Sequence, residues 1–177
     1  ASDEVRHIVG FPADREQLIH VRSEFPVSSP MTELVMPNWT PGSYRVREYA
    51  ANINRISAVS GDGVALNLQK VAKDRWQVST EQARTLIVDY EVFTPELNVS
   101  TSWASREFSL INGPSVFVYT EQTRDLPQVL EIHVDAERGD VFTAMQATPD
   151  GGAYLAGNYD ELVDNPVAVA NAPSYRF

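Results

Sequence analysis

Apolar and polar residues alternate along most of the chain in short runs broken by turn-forming residues, a period of two that predicts β-strands. Val5 to Phe11 and Gln17 to Phe25 are the first two runs; Pro12-Ala13-Asp14-Arg15 separates them, predicting an opening hairpin. In the second run Ile19 and Val21 share one face, and Leu18, His20, Arg22 and Glu24 share the other, so His20 is expected to face water. Glu33 to Met36 predicts a short strand and Ile53 to Ser60 a longer one. Gly61-Asp62-Gly63 then predicts a hairpin turn into Val64 to Val71, with Val64, Leu66 and Leu68 inward. Lys73-Asp74 turns the chain into Arg75 to Thr80, where Trp76 and Val78 share a face. Thr85 to Phe93 is the most regular run, with Leu86, Val88, Tyr90 and Val92 on a buried side and Asp89 and Glu91 on a wet one. Asn98 to Trp103 and Glu107 to Asn112 are weaker strand patterns. Asn112-Gly113-Pro114 punctuates before Ser115 to Tyr119. Leu130, Ile132 and Val134 alternate with Glu131, His133 and Asp135, which puts His133 on a polar face; Val141 to Gln146 comes next as another strand.

Two places break the period. Met36 to Ile53 is dense in backbone-restricting residues: Pro37 and Pro41 fix φ, and Pro41-Gly42 reads as the centre of a type II turn flanked by Trp39 and Tyr44. Beyond it Val46, Tyr49, Ala50 and Ile53 recur at helical spacing, predicting about two turns of helix. Trp39 and Tyr44 either plug one end of a β core or face an interface or substrate. Near the end, Asn158 is placed to cap a helix, with Glu161 completing a capping box, Asp160 favoured by the helix dipole and Pro166 as the stop. Val167 to Ala170 then continues as a short strand or exit linker. About a dozen short strands and one or two short helices predict an all-β domain, two packed antiparallel sheets in a two-layer sandwich, with an open barrel as the alternative. The 177 residues form a single domain on this reading, without repeat or linker.

Charge narrows the partners. With 24 acidic and 14 basic residues the formal charge is -10, and no run of Lys or Arg offers a phosphate backbone or anionic membrane a landing patch, so no nucleic acid is expected. No apolar stretch approaches the roughly 20 residues of a membrane helix, so no membrane span is expected and the chain reads as soluble, in cytoplasm or periplasm alike. The absence of cysteine removes disulfides, thiolate nucleophiles and Cys-ligated zinc. None of His7, His20 and His133 has a second His four residues on, so the helical zinc-hydrolase pattern is missing and no catalytic residue or metal ligand is assigned. There is no G-x-S-x-G elbow, and neither Gly-rich turn continues into Lys-Ser/Thr. Asp160 and Asp164 would share a helix face, as a glycosidase or calcium site would want, but the dipole accounts for Asp160, and capping or a neighbouring loop for Asp164.

Five blocks in order carry a resemblance: Pro37-Asn38-Trp39-Thr40-Pro41-Gly42-Ser43-Tyr44 through Asn52-Ile53; Lys73-Asp74-Arg75-Trp76; Tyr90-Glu91-Val92-Phe93; Asn112-Gly113 with Val116-Phe117; and Asn158 to Val167. Together they resemble the amino-terminal domain of the glycyl aminopeptidase family of zinc metallopeptidases, family sixty-one. Asn158 stands where the family has Asp, and Ala168 where it usually has Glu. The resemblance implies a non-catalytic β domain that packs on and walls the catalytic domain of the same polypeptide. That enzyme would release small amino-terminal residues, Gly or Ala, from peptide substrates. Zinc, the His-Glu-x-x-His motif and a PDZ domain would lie in domains outside these residues, leaving this chain without a cofactor of its own. Trp39, Pro41, Gly42, Tyr44, Asp160, Asp164 and Pro166 are then the candidate interface or substrate-facing residues. The alternative is a free-standing sandwich module that binds carbohydrate or peptide through aromatics such as Trp103 and Tyr119.

Overall fold

The computed structural model describes residues 3–40, 43 and 45–172. Its strands are β1 (Val5–Gly10), β2 (Leu18–Pro26), β3 (Met31–Val35), β4 (Ile53–Ser60), β5 (Leu68–Ala72), β6 (Arg75–Ser79), β7 (Thr85–Phe93), β8 (Trp103–Ala104), β9 (Phe108–Ile111), β10 (Gln128–His133), β11 (Asp140–Thr143), β12 (Gln146–Ala147), β13 (Tyr154–Ala156) and β14 (Val167–Ala170). A six-residue helix, α1 (Tyr159–Asp164), precedes β14. The all-β expectation holds, with the strands divided among three sheets: a seven-stranded sheet β12-β13-β10-β1-β2-β7-β4, a four-stranded sheet β11-β14-β9-β8 and a three-stranded sheet β3-β6-β5. Every pairing is antiparallel except β1 with β10. One apolar cluster joins all three sheets in an open, sandwich-like arrangement: Val9, Val21 and Leu86 come from the large sheet, Leu34 and Val78 from the small one, and Ile111 and Val167 from the third.

The period-two patterns land where alternation is strong. Ile19, Val21 and Phe25 of β2 are buried while His20 is exposed, and Trp76 and Val78 of β6 are both buried. On β7 the four expected residues are buried, but its other face is not uniformly wet: Ile87 is buried, and so is Glu91, whose carboxylate accepts from Arg15 at 2.8 Å. An ion pair there replaces the lost hydration.

Other expectations fail, among them the strand over Asn98 to Trp103, of which only Trp103 joins a strand, in β8. The helix predicted across Val46 to Ile53 is a single 3-10 turn, Tyr49–Asn52, and Ile53 already belongs to β4. Tertiary contact overrides the pattern: the Tyr49 hydroxyl donates to Ser100 O at 2.7 Å, and Tyr49 and Ala50 are buried. The Gly61-Asp62-Gly63 turn forms, with Gly63 at φ 83°, but its return arm makes only the bridge Val59–Ala65 before crossing to the small sheet as β5. Val64 is therefore 62% exposed, not inward. Val116 to Val118 is buried without forming a strand. Two buried tyrosines supply the missing ladder: Tyr90 donates to Val116 O at 2.7 Å and accepts from Val118 N at 3.2 Å, and Tyr159 donates to Phe117 O at 2.7 Å. Their burial pushes both phenols well above the ordinary tyrosine range, so both stay protonated and able to donate.

Candidate functional site

The segment held by Tyr90 and Tyr159 leads to Tyr119, which pairs with Val35 through N–H···O bonds of 2.8 and 2.9 Å and so ties β3 to the region of α1. A cavity of about 400 Å³ opens there, with Trp39, Asp74, Arg124, Tyr119, Asp160 and Asp164 among its walls. Asn158 caps α1 by accepting from Glu161 N at 2.8 Å. The expected capping box is displaced by one residue, because Glu161 accepts from Gly157 N rather than from Asn158. This cap sets the rotation of α1, which buries Tyr159, Leu162 and Val163 and leaves Asp160 and Asp164, one helical turn apart, on the cavity side. Pro114 lies across from them, beside Gly113, where a Cβ would come within 2.6 Å of Val163 Cα. Only glycine lets the helix approach this closely.

The cavity's charges are partly matched. Asp160 accepts from Arg124 at 2.9 Å, and the Arg124 guanidinium lies 5.4 Å over the Tyr119 ring, which in turn packs on Tyr159 at 4.8 Å. Asp160 holds the Arg124 guanidinium above its ordinary pKa, and Glu33 does the same for Arg75. Burial, reinforced by Glu121, raises the Tyr119 phenol. The cavity wall thus carries three Asp against two Arg, with both arginines engaged by acids. A cationic group entering it would meet Asp160 and Asp164 beside the exposed Trp39 ring, the Tyr119 ring being already covered by Arg124.

Of the residues singled out in the sequence, Trp39, Asp160 and Asp164 meet at this cavity, and Trp39 is 55% exposed rather than plugging the core. Pro41, Gly42 and Tyr44 lie outside the described residues. Pro166 is exposed, ends α1 and is not among the cavity's lining residues. Ala168 sits inside β14 between Phe142 and Leu110, also away from the cavity. Trp103 lies on β8 and does not join Tyr119 in lining the cavity. Arg124 and Tyr159 had no signal of their own in the sequence, since each acts on residues tens of positions away.

Among the described residues, no three His, Cys, Asp or Glu side chains come together as a metal ion would require. His7 is fully buried with both ring nitrogens engaged, Nδ1 2.7 Å from Ser23 Oγ and Nε2 2.9 Å from Gln128 Oε1. Gln128 donates its amide to Leu126 O at 2.8 Å, so its oxygen faces His7; Nε2 then carries the proton and Nδ1 accepts from Ser23. Burial pushes this imidazole down to about 4. Among the described residues, no helix is long and apolar enough to cross a membrane.

In structure, the chain is similar to an aminopeptidase N family protein from Idiomarina loihiensis, with a TM-score of 0.85 and 27% identity over 94% of this chain. An M1 zinc metallopeptidase mutant from Deinococcus radiodurans, bound to a Tyr-Ser-Ala substrate, shares the fold at a TM-score of 0.56 and 10% identity, again over 94% of this chain. The chain spans only 29% of the first protein and 41% of the second. No curated protein matches it in sequence. The model of the Peptidase M61 N-terminal domain matches residues 7–171, and the chain belongs to that family.

Proposed function

We propose that this chain is the non-catalytic amino-terminal domain of a zinc aminopeptidase that releases Gly or Ala, and that its Trp39 end packs on and walls the catalytic domain of the same polypeptide. The observation that carries the reading is the convergence of Trp39, Asp160 and Asp164 on one cavity, with Trp39 left 55% exposed at its wall. A large aromatic side chain exposed at the mouth of a cavity is suited to a surface that is covered in the working molecule. The family match and the fold shared with zinc peptidases favour a peptidase partner over a free-standing module. Zinc would be held by the catalytic domain and would there supply an activated water; this chain's part would be to shape the substrate pocket. A peptide's α-ammonium group would find Asp160, Asp164 and the exposed Trp39 a suitable seat.

The test is Trp39→Ala in the polypeptide that contains both domains. The side chain is largely exposed in the isolated chain, so the substitution is expected to leave the chain's own melting unchanged while lowering the stability or glycyl-amide hydrolysis of the whole enzyme. Wild-type melting and kinetics in the whole enzyme would refute the docking role.

A further inference from the structure

Beside the acidic cavity runs a second, larger depression of about 730 Å³, and the two share Pro37, Asn38 and Asp74 in their walls. Its chemistry is the reverse of its neighbour's. The chain contains only two lysines, Lys70 and Lys73, and both line this groove together with Arg47, against Glu48 and Asp74. Three cations to two anions is an excess of positive charge in a chain whose formal charge is -10. Lys73 nevertheless bonds Glu48 at 2.8 Å, Lys70 lies 5.3 Å over the Trp76 ring and Arg47 donates to Ser100 Oγ at 3.3 Å, so an entering carboxylate competes with Glu48 for Lys73. Between the charges the floor is apolar: Val46 is 73% and Val71 47% exposed, with Ala50, Ala51 and Ala72 beside them. One wall is β5, the edge of the three-stranded sheet, which among the described residues pairs with β6 alone, with a register shift between Lys70 and Ala72, and so presents an edge of N–H and C=O groups along Leu68–Ala72.

An acidic cavity continuous with a basic, apolar-floored groove matches an unblocked peptide, which carries an ammonium at one end and a carboxylate at the other. We infer that the groove between β5 and Val46–Ala51 holds the carboxyl-terminal part of a short peptide, laid as an added strand along β5, with its terminal or side-chain carboxylate met by Lys70, Lys73 and Arg47. The inference rests on the proposal that a peptide enters the neighbouring cavity by its amino terminus. The five residues of β5 extend about 16 Å, enough to pair with roughly five residues of peptide. Specificity for the residues beyond the released one then comes from this domain: peptides ending in, or carrying, a carboxylate near the fifth position are preferred over neutral or basic ones. Bonding to the edge strand is indifferent to side-chain identity, which suits an enzyme that meets many sequences.

The experiment uses the isotope-labelled chain and two synthetic pentapeptides, Gly-Val-Ser-Val-Glu with a free carboxyl terminus and Gly-Val-Ser-Val-Gln as its carboxamide, titrated by amide NMR. The acidic peptide is expected to shift the amides of Leu68–Ala72 and Val46–Ala51, with the carboxamide binding about tenfold more weakly. Lys70→Gln combined with Lys73→Gln, both at exposed positions, is expected to bring the two affinities together without changing the unfolding curve. Absence of shifts along β5, or equal affinities in the unsubstituted chain, would overturn the proposal. No metal enters this assay, so its failure is separate from that of the peptidase reading, which is judged by zinc content and hydrolysis in the whole polypeptide.

Discussion

His7 makes stability depend on pH in a way that can be worked from the structure. Its ring is neutral in the fold, enclosed by Ser23, Gln128, Phe25 and Phe117, and burial lowers its pKa from 6.5 to about 4. The folded value lies below the unfolded one, so the unfolded chain takes up the proton first as pH falls. The stabilisation is therefore complete above about pH 7, declines as pH falls through 6.5, and levels off near pH 4, where the folded ring also protonates. At pH 5 protonation favours the unfolded chain by a factor of roughly thirty, which is about 2 kcal/mol lost relative to pH 7. Carboxylates contribute their own acid dependence, and His7→Gln isolates the ring's share because Gln does not titrate. Urea unfolding of both chains at pH 7 and pH 5 should show the unsubstituted chain losing about 2 kcal/mol more than the variant, whatever their absolute difference at pH 7. Equal losses would refute the reasoning and mean that His7 reaches solvent or is protonated in the fold.

The same contacts set the outcome of other substitutions. Tyr90→Phe removes the partner of Val116 O and Val118 N and should cost about 1–3 kcal/mol by urea unfolding, whereas Tyr119→Phe, at the cavity rim, should cost less than about 0.5 kcal/mol. Gly113→Ala forces its methyl against the Val163 backbone and should destabilise by about 1–3 kcal/mol, with altered amide shifts through α1; an unchanged chain would show that the helix can yield. Asp160→Asn breaks an exposed pair with Arg124 and should change the chain's stability by less than about 1 kcal/mol, while in the two-domain enzyme it should raise KM for glycyl amides more than it lowers kcat.

The sequence was most informative where one period governed a whole element. β2, β6 and β7 each bury one alternating face, and α1 begins at its Asn cap and stops before Pro166, because local chemistry and burial agree there. The pattern misled where long-range contacts decide. Val46, Tyr49, Ala50 and Ile53 are spaced for a helix, yet the tie from Tyr49 to Ser100 and the start of β4 hold that stretch to one 3-10 turn. Val116 to Val118 lies buried without strand pairing because Tyr90 and Tyr159, 26 and 42 residues away along the chain, complete its backbone hydrogen bonds. Trp39, Asp160 and Asp164 were readable as candidates from their local setting, but their meeting at one cavity depends on Gly113 and on the bridge from Val35 to Tyr119. The opposite charge of the adjoining groove was hidden too, since Arg47 and the two lysines are brought together only when β5 leaves the Gly61 turn for the small sheet.

The role proposed for this domain depends on the polypeptide to which it belongs. Isolating that polypeptide from its source with an antibody against this chain, and measuring its mass, its zinc content and its release of Gly or Ala from amides, tests the role at its root. The expected result is a protein several times 19.7 kDa that carries zinc and whose hydrolysis is lost on chelation and restored by the metal. A protein of 19.7 kDa without zinc or hydrolysis would contradict it.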